Sequence, residues 1–274
     1  MVFKLHVLSN PPKNEIHNLD IIAVHGLNGH YLNTWTYKPG SQAETMWLKD
    51  LLPEKLPGCR VLSFEYDASI ESMSTATVRD IARELFQLLK AQREGNAYKN
   101  IPIVFIGHSL GGIVIKQSLA LARQSQFDYP AMTENTKGIV FFGTPHGGAD
   151  AAHFALTAVK IAGAVLPLSA RRHLELLKRN SEGLFKISDA FRHLASRYVI
   201  VSFYEEHAYN RLWGKVIVDK YSAIMGLKHE DFMMLSGTHT SMCRFSREDD
   251  QFDLVWRRIQ RASEGRTPER GLMN

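Results

Sequence analysis

Short, continuously apolar runs alternate with longer amphipathic stretches along this chain. Residues 3–8, DIIAV at 20–24, RVLSFEY at 60–66, PIVFI at 102–106, GIVFF at 138–142, YVIVSF at 198–203 and residues 216–218 read as strands. Runs this short and this uniformly apolar belong to strands buried on both faces. Between them, residues 75–94 carry Val78, Ile81, Ala82, Leu85, Leu88 and Leu89 at helical spacing, with Ser74 or Thr75 as N-cap and Gly95 at the end. Residues 43–52, stopped by Pro53 and Pro57, read as another helix, as do 110–123 and 249–261. The alternation predicts an α/β class: a mostly parallel, doubly wound sheet covered on both sides. Residues 149–197 hold no strand pattern and are expected to form a helical lid or cap inserted into a single domain spanning 1–262. The polar tail 263–274 is expected to be disordered.

Composition narrows this picture. With 274 residues and 45% hydrophobic content, the chain can bury a large core in one domain. The net charge of +5 is mild and dispersed, so no nucleic-acid partner is expected. The two cysteines, Cys59 and Cys243, form neither a disulfide framework nor a metal-ligand cluster, and no cofactor or metal is expected. No stretch reaches the ~18 apolar residues of a membrane span, and the N-terminus lacks the apolar run of a secretory signal. These features lead to the expectation of a cytoplasmic protein, with peripheral contact to an intracellular membrane as one option.

Three glycine-rich segments, HGLNG, GHSLGG and GTPHGG, each follow an apolar strand. In a doubly wound sheet, ligands bind at the carboxyl ends of strands, where these segments gather. Gly107-His108-Ser109-Leu110-Gly111 sits between PIVFI and a helix, the context that G-x-S-x-G needs to lift a serine onto a sharp turn. A serine hydroxyl requires a base and a group that orients the base. In the chain order serine, acid, histidine, the candidate base is His239 in SGTHTSMCRF. Glu205, after YVIVSF, leads as the acid, with Asp219 the alternative and Glu206 behind both. The oxyanion donors would be the N–H groups of Leu110, next to the nucleophile, and Leu27 in HGLNG, where Gly26 lets the backbone turn inward. His25, His108 and His146 are supporting or pocket residues, His25 read as a structural hydrogen-bonding group.

Taken together, IAVHGLNGHYLNTW, FEYDAS, FIGHSLGGIVIKQSL, FFGTPHGG, SFYEE, IVDKYSA and THTSMCRF resemble the lipase-like α/β-hydrolases related to the serine-active-site-containing proteins and the inositol-deacylase-like lipases. Similar domains occur as N-terminal modules of fungal NACHT-type immune receptors. The resemblance spans about residues 20 to 246. It implies an α/β-hydrolase fold with a lid at 149–197 and an ester hydrolase acting on acyl lipids or similar esters. It places the nucleophile at Ser109, the base at His239, the acid at Glu205 and the oxyanion loop at Gly26 and Leu27. The chain departs from the family in having THT around the histidine and Glu206 after SFYE. The alternatives are a hydrolase-fold signalling or interaction module and an acyltransferase using the same residues.

The insertion begins with AAHFALTAVKIAGAVLPLSARRH. On a helix, Phe154, Ala158, Ile161 and Val165 fall near one face. That face either packs on the core as a cap or forms a lid lining an acyl pocket or touching a membrane, with Arg171 and Arg172 at the headgroups.

Overall fold

The computed structural model describes residues 3–40, 43–69, 75–95, 98, 100–123, 130–146, 151–165, 174–207 and 216–266. In chain order they form β1 (Lys4–Ser9), β2 (Leu19–Val24), the two-residue strands β3 (Thr36–Tyr37) and β4 (Thr45–Met46), the short helices α1 (Trp47–Asp50) and α2 (Leu52–Lys55), and β5 (Cys59–Glu65). Next come α3 (Thr75–Gln92), β6 (Ile103–His108), α4 (Gly111–Arg123), α5 (Pro130–Asn135) and β7 (Thr136–Phe142). The chain continues through α6 (Ala151–Val165), α7 (Leu174–Ala195), β8 (Val199–Glu205), α8 (Lys220–Ala223), β9 (Asp231–Leu235) and α9 (Asp250–Glu264).

Seven strands make one sheet in the order β1-β5-β2-β6-β7-β8-β9. Only β1 runs antiparallel, against β5. Every residue of β2 and of β6 is buried, because helices cover both faces of the sheet. On one face Ile22, Val24, Phe105, Ile139 and Phe141 pack with residues of α3, α4, α6 and α7. On the other, Ile21, Ala23, Val104, Ile106, Val140 and Phe142 pack with Trp35, Trp47 and the α9 residues Phe252, Val255 and Ile259. The period-two alternation of a strand thus feeds two separate cores.

Three sequence expectations are corrected. Residues 216–218 form no strand but a bend leading into α8. The last strand is β9, whose exposed Phe232 and Met234 break the buried-run signature used to find the others. Residues 43–52 are not one helix: β4 and two four-residue helices occupy 45–55, and Pro53 sits in the first turn of α2 instead of ending a helix, a position where its missing N–H costs nothing. At the C-terminus α9 runs to Glu264, past the expected start of the polar tail, while residues 267–274 lie outside the described residues. Among the described residues no helix is long and apolar enough to cross a membrane.

The opposite end of the sheet from the glycine-rich loops is tied by charge. Asp20 in β2 is fully buried and accepts from Arg60 Nε (2.7 Å) and Nη2 (2.9 Å) in β5, from His17 Nε2 (2.9 Å) and from Arg93 Nη1. Arg93 also donates to the carbonyls of Tyr98 (2.8 Å) and Ile101 (2.7 Å) just before β6. One carboxylate therefore fixes three adjacent strands at their entry points. Burial alone would raise its pKa. The hydrogen bonds from His17 and Arg60 and the charges of Arg60 and Arg93 outweigh that and hold it down at about 2.

Removing the carboxylate leaves two buried guanidinium groups unmatched. Asp20→Asn is expected to lose about 3–5 kcal/mol of stability at pH 7, read by urea unfolding. Because the folded pKa lies below the ordinary ~3.9, the ionised carboxylate's contribution is complete above pH ~4 and is lost as pH falls toward 2. The stability gap between parent and Asp20→Asn should narrow over that window. A gap that does not change between pH 5 and 2 would contradict this account.

Candidate active site

The strand–turn–helix around Ser109 is held by contacts that admit only glycine. The serine has φ 54°, a left-handed conformation that costs a non-glycine residue energy and must be enforced by its surroundings. Its N–H donates to Phe142 O (2.8 Å), and its carbonyl accepts from Gly112 N–H (3.1 Å) as α4 begins. A Cβ on Gly111 would strike the carbonyls of Val24 and His25, so α4 packs directly on the end of β2. A Cβ on Gly26 would meet Ser109 Cβ at 2.7 Å, so the loop after β2 lies against the serine.

Ser109 Oγ is 2.9 Å from His239 Nε2. His239 Nδ1 is 3.6 Å from Glu205 Oε1, with both side chains fully buried. Glu205 Oε1 accepts from Val218 N–H. Among the described residues Glu205 Oε2 and His239 Nδ1 have no hydrogen-bond partner. Such lengthened contacts are common in unliganded sites and shorten on substrate binding. Asp219, the alternative acid, instead caps α8, accepting from Ser222 N–H at 3.0 Å. Glu206 lies beside His207, 3.5 Å from its Nε2.

His239 rides on a turn built by the sequence around it. Thr238 N–H donates to Ser241 Oγ (2.9 Å), and Met242 N–H donates to Thr238 O (3.0 Å). Next to it, Trp47 Nε1 donates to Cys243 O (2.9 Å), and Cys243 Sγ contacts Thr34 O (3.3 Å). His108 Nε2 donates to His239 O at 2.8 Å. Burial, with the neighbouring His239 second, lowers the His108 pKa to about 3, so this ring stays neutral and serves as a fixed donor.

The other supporting histidines sit apart from the serine hydroxyl. His25 Nδ1 donates to Gly26 O (3.1 Å), its ring stacks on Tyr66 at 4.4 Å, and Tyr66 Oη donates to His25 O (2.6 Å). Burial lowers its pKa to about 4. His146 is bonded to Lys116 Nζ through Nδ1 (2.6 Å), and Lys116 also donates to Ser188 Oγ in α7 (2.6 Å). Burial holds both His146 and Lys116 well below their ordinary pKa values. The N–H groups of Leu27 and Leu110 donate to no group among the described residues. Leu110 follows Ser109 in the chain, and Leu27 follows Gly26, which lies against Ser109.

The serine is almost wholly covered, at 1% exposure. Phe154, Ala158 and Ile161 of α6 are fully buried against the core, so the face picked out in the sequence packs inward here. The side chain of Val165 and residues 171–172 lie outside the described residues. Beside the buried serine opens a cleft of about 340 Å³, bordered by Leu27, Asn28, Thr34, His108, Ala164 and Thr240 among others.

One residue of this constellation was not singled out in the sequence. Gly143, at φ 54°, leaves space for the imidazole: an added Cβ would stand 3.0 Å from His239 Nδ1 and 3.1 Å from its Cε1. The cue was present in the Gly-Thr that follows FF, but the reason for it lies in the distant His239.

A doubly wound sheet with a nucleophile-type turn after its central strand is an α/β-hydrolase fold, and solved structures of that class share it. They include the α/β hydrolase MGS-MChE2 from the sediment metagenome of the Mar Chica lagoon, Morocco (TM-score 0.53, 16% identity, 94% of each chain). Bacillus licheniformis lipase BlEst2 in mature form is another (TM-score 0.54, 12% identity, 92% of this chain and 98% of that one). Residues 14–198 match the family described as "Putative serine esterase (DUF676)", and the chain belongs to that family. Relatives include Protein SERAC1 of Homo sapiens, 26% identical over 252 residues, covering 84% of this chain and 36% of that protein. Protein SERAC1 of Danio rerio is 24% identical over 251 residues, covering 84% and 37%. The chain thus spans little more than a third of the length of these relatives.

Gly143→Ala is expected to push the His239 ring off the serine. Reaction of Ser109 with a fluorophosphonate should slow about ten-fold or more while the far-ultraviolet dichroism stays that of the parent. Unchanged reactivity would show that the ring tolerates the methyl group.

Proposed function

We propose that the chain is a serine esterase that cleaves carboxylic esters, of acyl-lipid or similar type, through an acyl-enzyme. The observation that carries this reading is the Ser109 hydroxyl, forced out on a left-handed turn 2.9 Å from His239 Nε2. Membership of the DUF676 family supports it. Ser109 Oγ attacks the acyl carbonyl as its proton passes to His239 Nε2. Glu205 steadies the imidazolium through Nδ1. The unpaired N–H groups of Leu110 and Leu27 take the negative oxygen of the tetrahedral intermediate. His239 then returns the proton to the departing alcohol, leaving an ester on Ser109. Water, deprotonated by the same histidine, attacks that ester and releases the acid with Ser109 restored.

Buried as it is, Ser109 meets an ester only when its cover moves, and in this reading α6 belongs to that cover. The exposed Leu156 on α6 gives that helix an apolar outer residue with which to settle on a lipid surface. Turnover of a short-chain ester is therefore expected to rise once the substrate forms micelles. Equal rates on monomers and micelles would argue for a cap that opens independently of an interface.

A fluorophosphonate probe should label the protein, and Ser109→Ala should abolish labelling. Failure of the parent to react would sink the reading. Glu205→Gln is expected to lower kcat by about 10³- to 10⁴-fold, since the base loses its orienting carboxylate. Asp219→Asn, at a helix cap, should cost no more than about 1 kcal/mol of stability, with kcat within about two-fold. The reverse ranking of these two variants would move the acid to Asp219.

A further inference from the structure

The cleft beside Ser109 holds a cation that the ester chemistry above does not use. Arg244 borders it together with Leu27 of the oxyanion loop and Thr240, the neighbour of the base. The side chain is partly buried. Its Nε donates to Thr34 O at 3.4 Å, a long bond that engages one edge of the fork. Nearby arginines are matched by carboxylates: Arg247 by Glu54, and Arg258 and Arg261 by Asp231. Among the described residues no carboxylate pairs with Arg244. The other polar groups on the walls are the amides and hydroxyls of Asn28, Asn33, Thr34 and Thr240 and the imidazoles of His30 and His108, none of them an anion.

A guanidinium with no counter-charge among the described residues, set in a concave wall, draws anions into the cleft. Its planar fork matches a carboxylate or phosphate with two parallel N–H···O bonds. A space of about 340 Å³ is at the small end for ligand pockets and suits a compact polar group better than a long acyl chain. Because Leu27, His108 and Thr240 border the same cleft, a group seated there lies next to the proposed oxyanion loop and to the chain neighbours of Ser109 and His239.

We propose that Arg244 is a specificity residue that selects esters carrying a carboxylate or phosphate group close to the scissile bond. This rests on the esterase reading given above. The charge sits either on the acyl side or on the alcohol side of the ester, and two substrate pairs separate these cases. 4-Nitrophenyl hemiglutarate against 4-nitrophenyl butyrate places the charge on the acyl group. Butyrylglycerol 3-phosphate against butyrylglycerol places it on the alcohol.

The parent enzyme is expected to favour the charged member of one pair in kcat/KM by about ten-fold, a preference that weakens in 1 M salt. Arg244→Gln should collapse that ratio to near unity, and Arg244→Lys should restore part of it. Fluorophosphonate labelling of Arg244→Gln verifies that the site is still assembled. Ratios in Arg244→Gln equal to those of the parent, for both pairs, overturn the proposal.

A second measurement is independent of turnover. Glutarate and glycerol 3-phosphate are titrated calorimetrically into Ser109→Ala and into Ser109→Ala/Arg244→Gln. Binding of either anion that weakens about ten-fold or more without the arginine supports the anion site, even should no ester be cleaved. Binding unaffected by the arginine, or no binding to either protein, counts against it.

Discussion

The left-handed turn at Ser109 is the constraint on which the site depends. A single residue at φ 54° is unfavourable by itself and persists because everything around it is already fixed. β6 delivers the serine, the Phe142 carbonyl of β7 holds its N–H, and α4 starts where the end of β2 allows no side chain at Gly111. The strain is offset by the best-packed part of the molecule, two central strands with every residue buried. Those strands are in turn aligned at their far ends by Asp20, Arg60 and Arg93. The charge cluster and the strained serine are therefore opposite ends of one rigid unit. This is how a domain of modest size keeps a hydroxyl and an imidazole at hydrogen-bond distance.

Burial also fixes the charge of three histidines around the serine. His25 and His108 are pushed down to about 4 and 3, and His146 well below its ordinary value, chiefly by desolvation. Near neutral pH they are neutral rings with one donor and one acceptor each. His108 spends its donor on the carbonyl of His239, so it holds His239 through the main chain, and in the proposed reaction it does not compete for the proton. In the proposed reaction, the glycine-rich segments thus contribute three histidines as scaffolding and one from a separate loop as the reacting ring.

What could be read from the sequence follows from how local each cause is. The buried runs of β2, β5, β6, β7 and β8 announce themselves because covering both faces of a strand demands apolar residues at every position. G-x-S-x-G is legible because its turn, its strand and its helix are contiguous. β9 was hidden because it lies at the sheet edge, where Phe232 and Met234 can face solvent. Residues 216–218 looked like a strand only because three apolar residues stand together. The place beside β8 is already filled by β9, and the N–H of Val218 goes to the Glu205 carboxylate. The roles of Asp20 and Gly143 were not legible because the partners that explain them, Arg93 and His239, are distant in the chain and meet them only in the folded sheet.

The same distinction between polar and apolar fastening bears on how the cover moves. α7 is tied to the nucleophile helix by directional bonds, Ser188 to Lys116 and to the His146 carbonyl. Lys116 is fully buried, and desolvation holds it well below its ordinary pKa. Breaking these bonds would strand polar atoms in the core. α6 combines both kinds: His153 and Thr157, in its first two turns, bond to Ser222 Oγ at 2.9 and 3.4 Å, while Phe154, Ala158, Ile161 and Ala162 rest on the core by apolar contact. Apolar contact is non-directional and yields to sliding more readily than a committed hydrogen bond. Ala164, at the other end of α6 from His153, is the residue that borders the cleft. In the proposed reaction, a swing of α6 about its Ser222 bonds, with α7 left in place, would widen the cleft at Ala164.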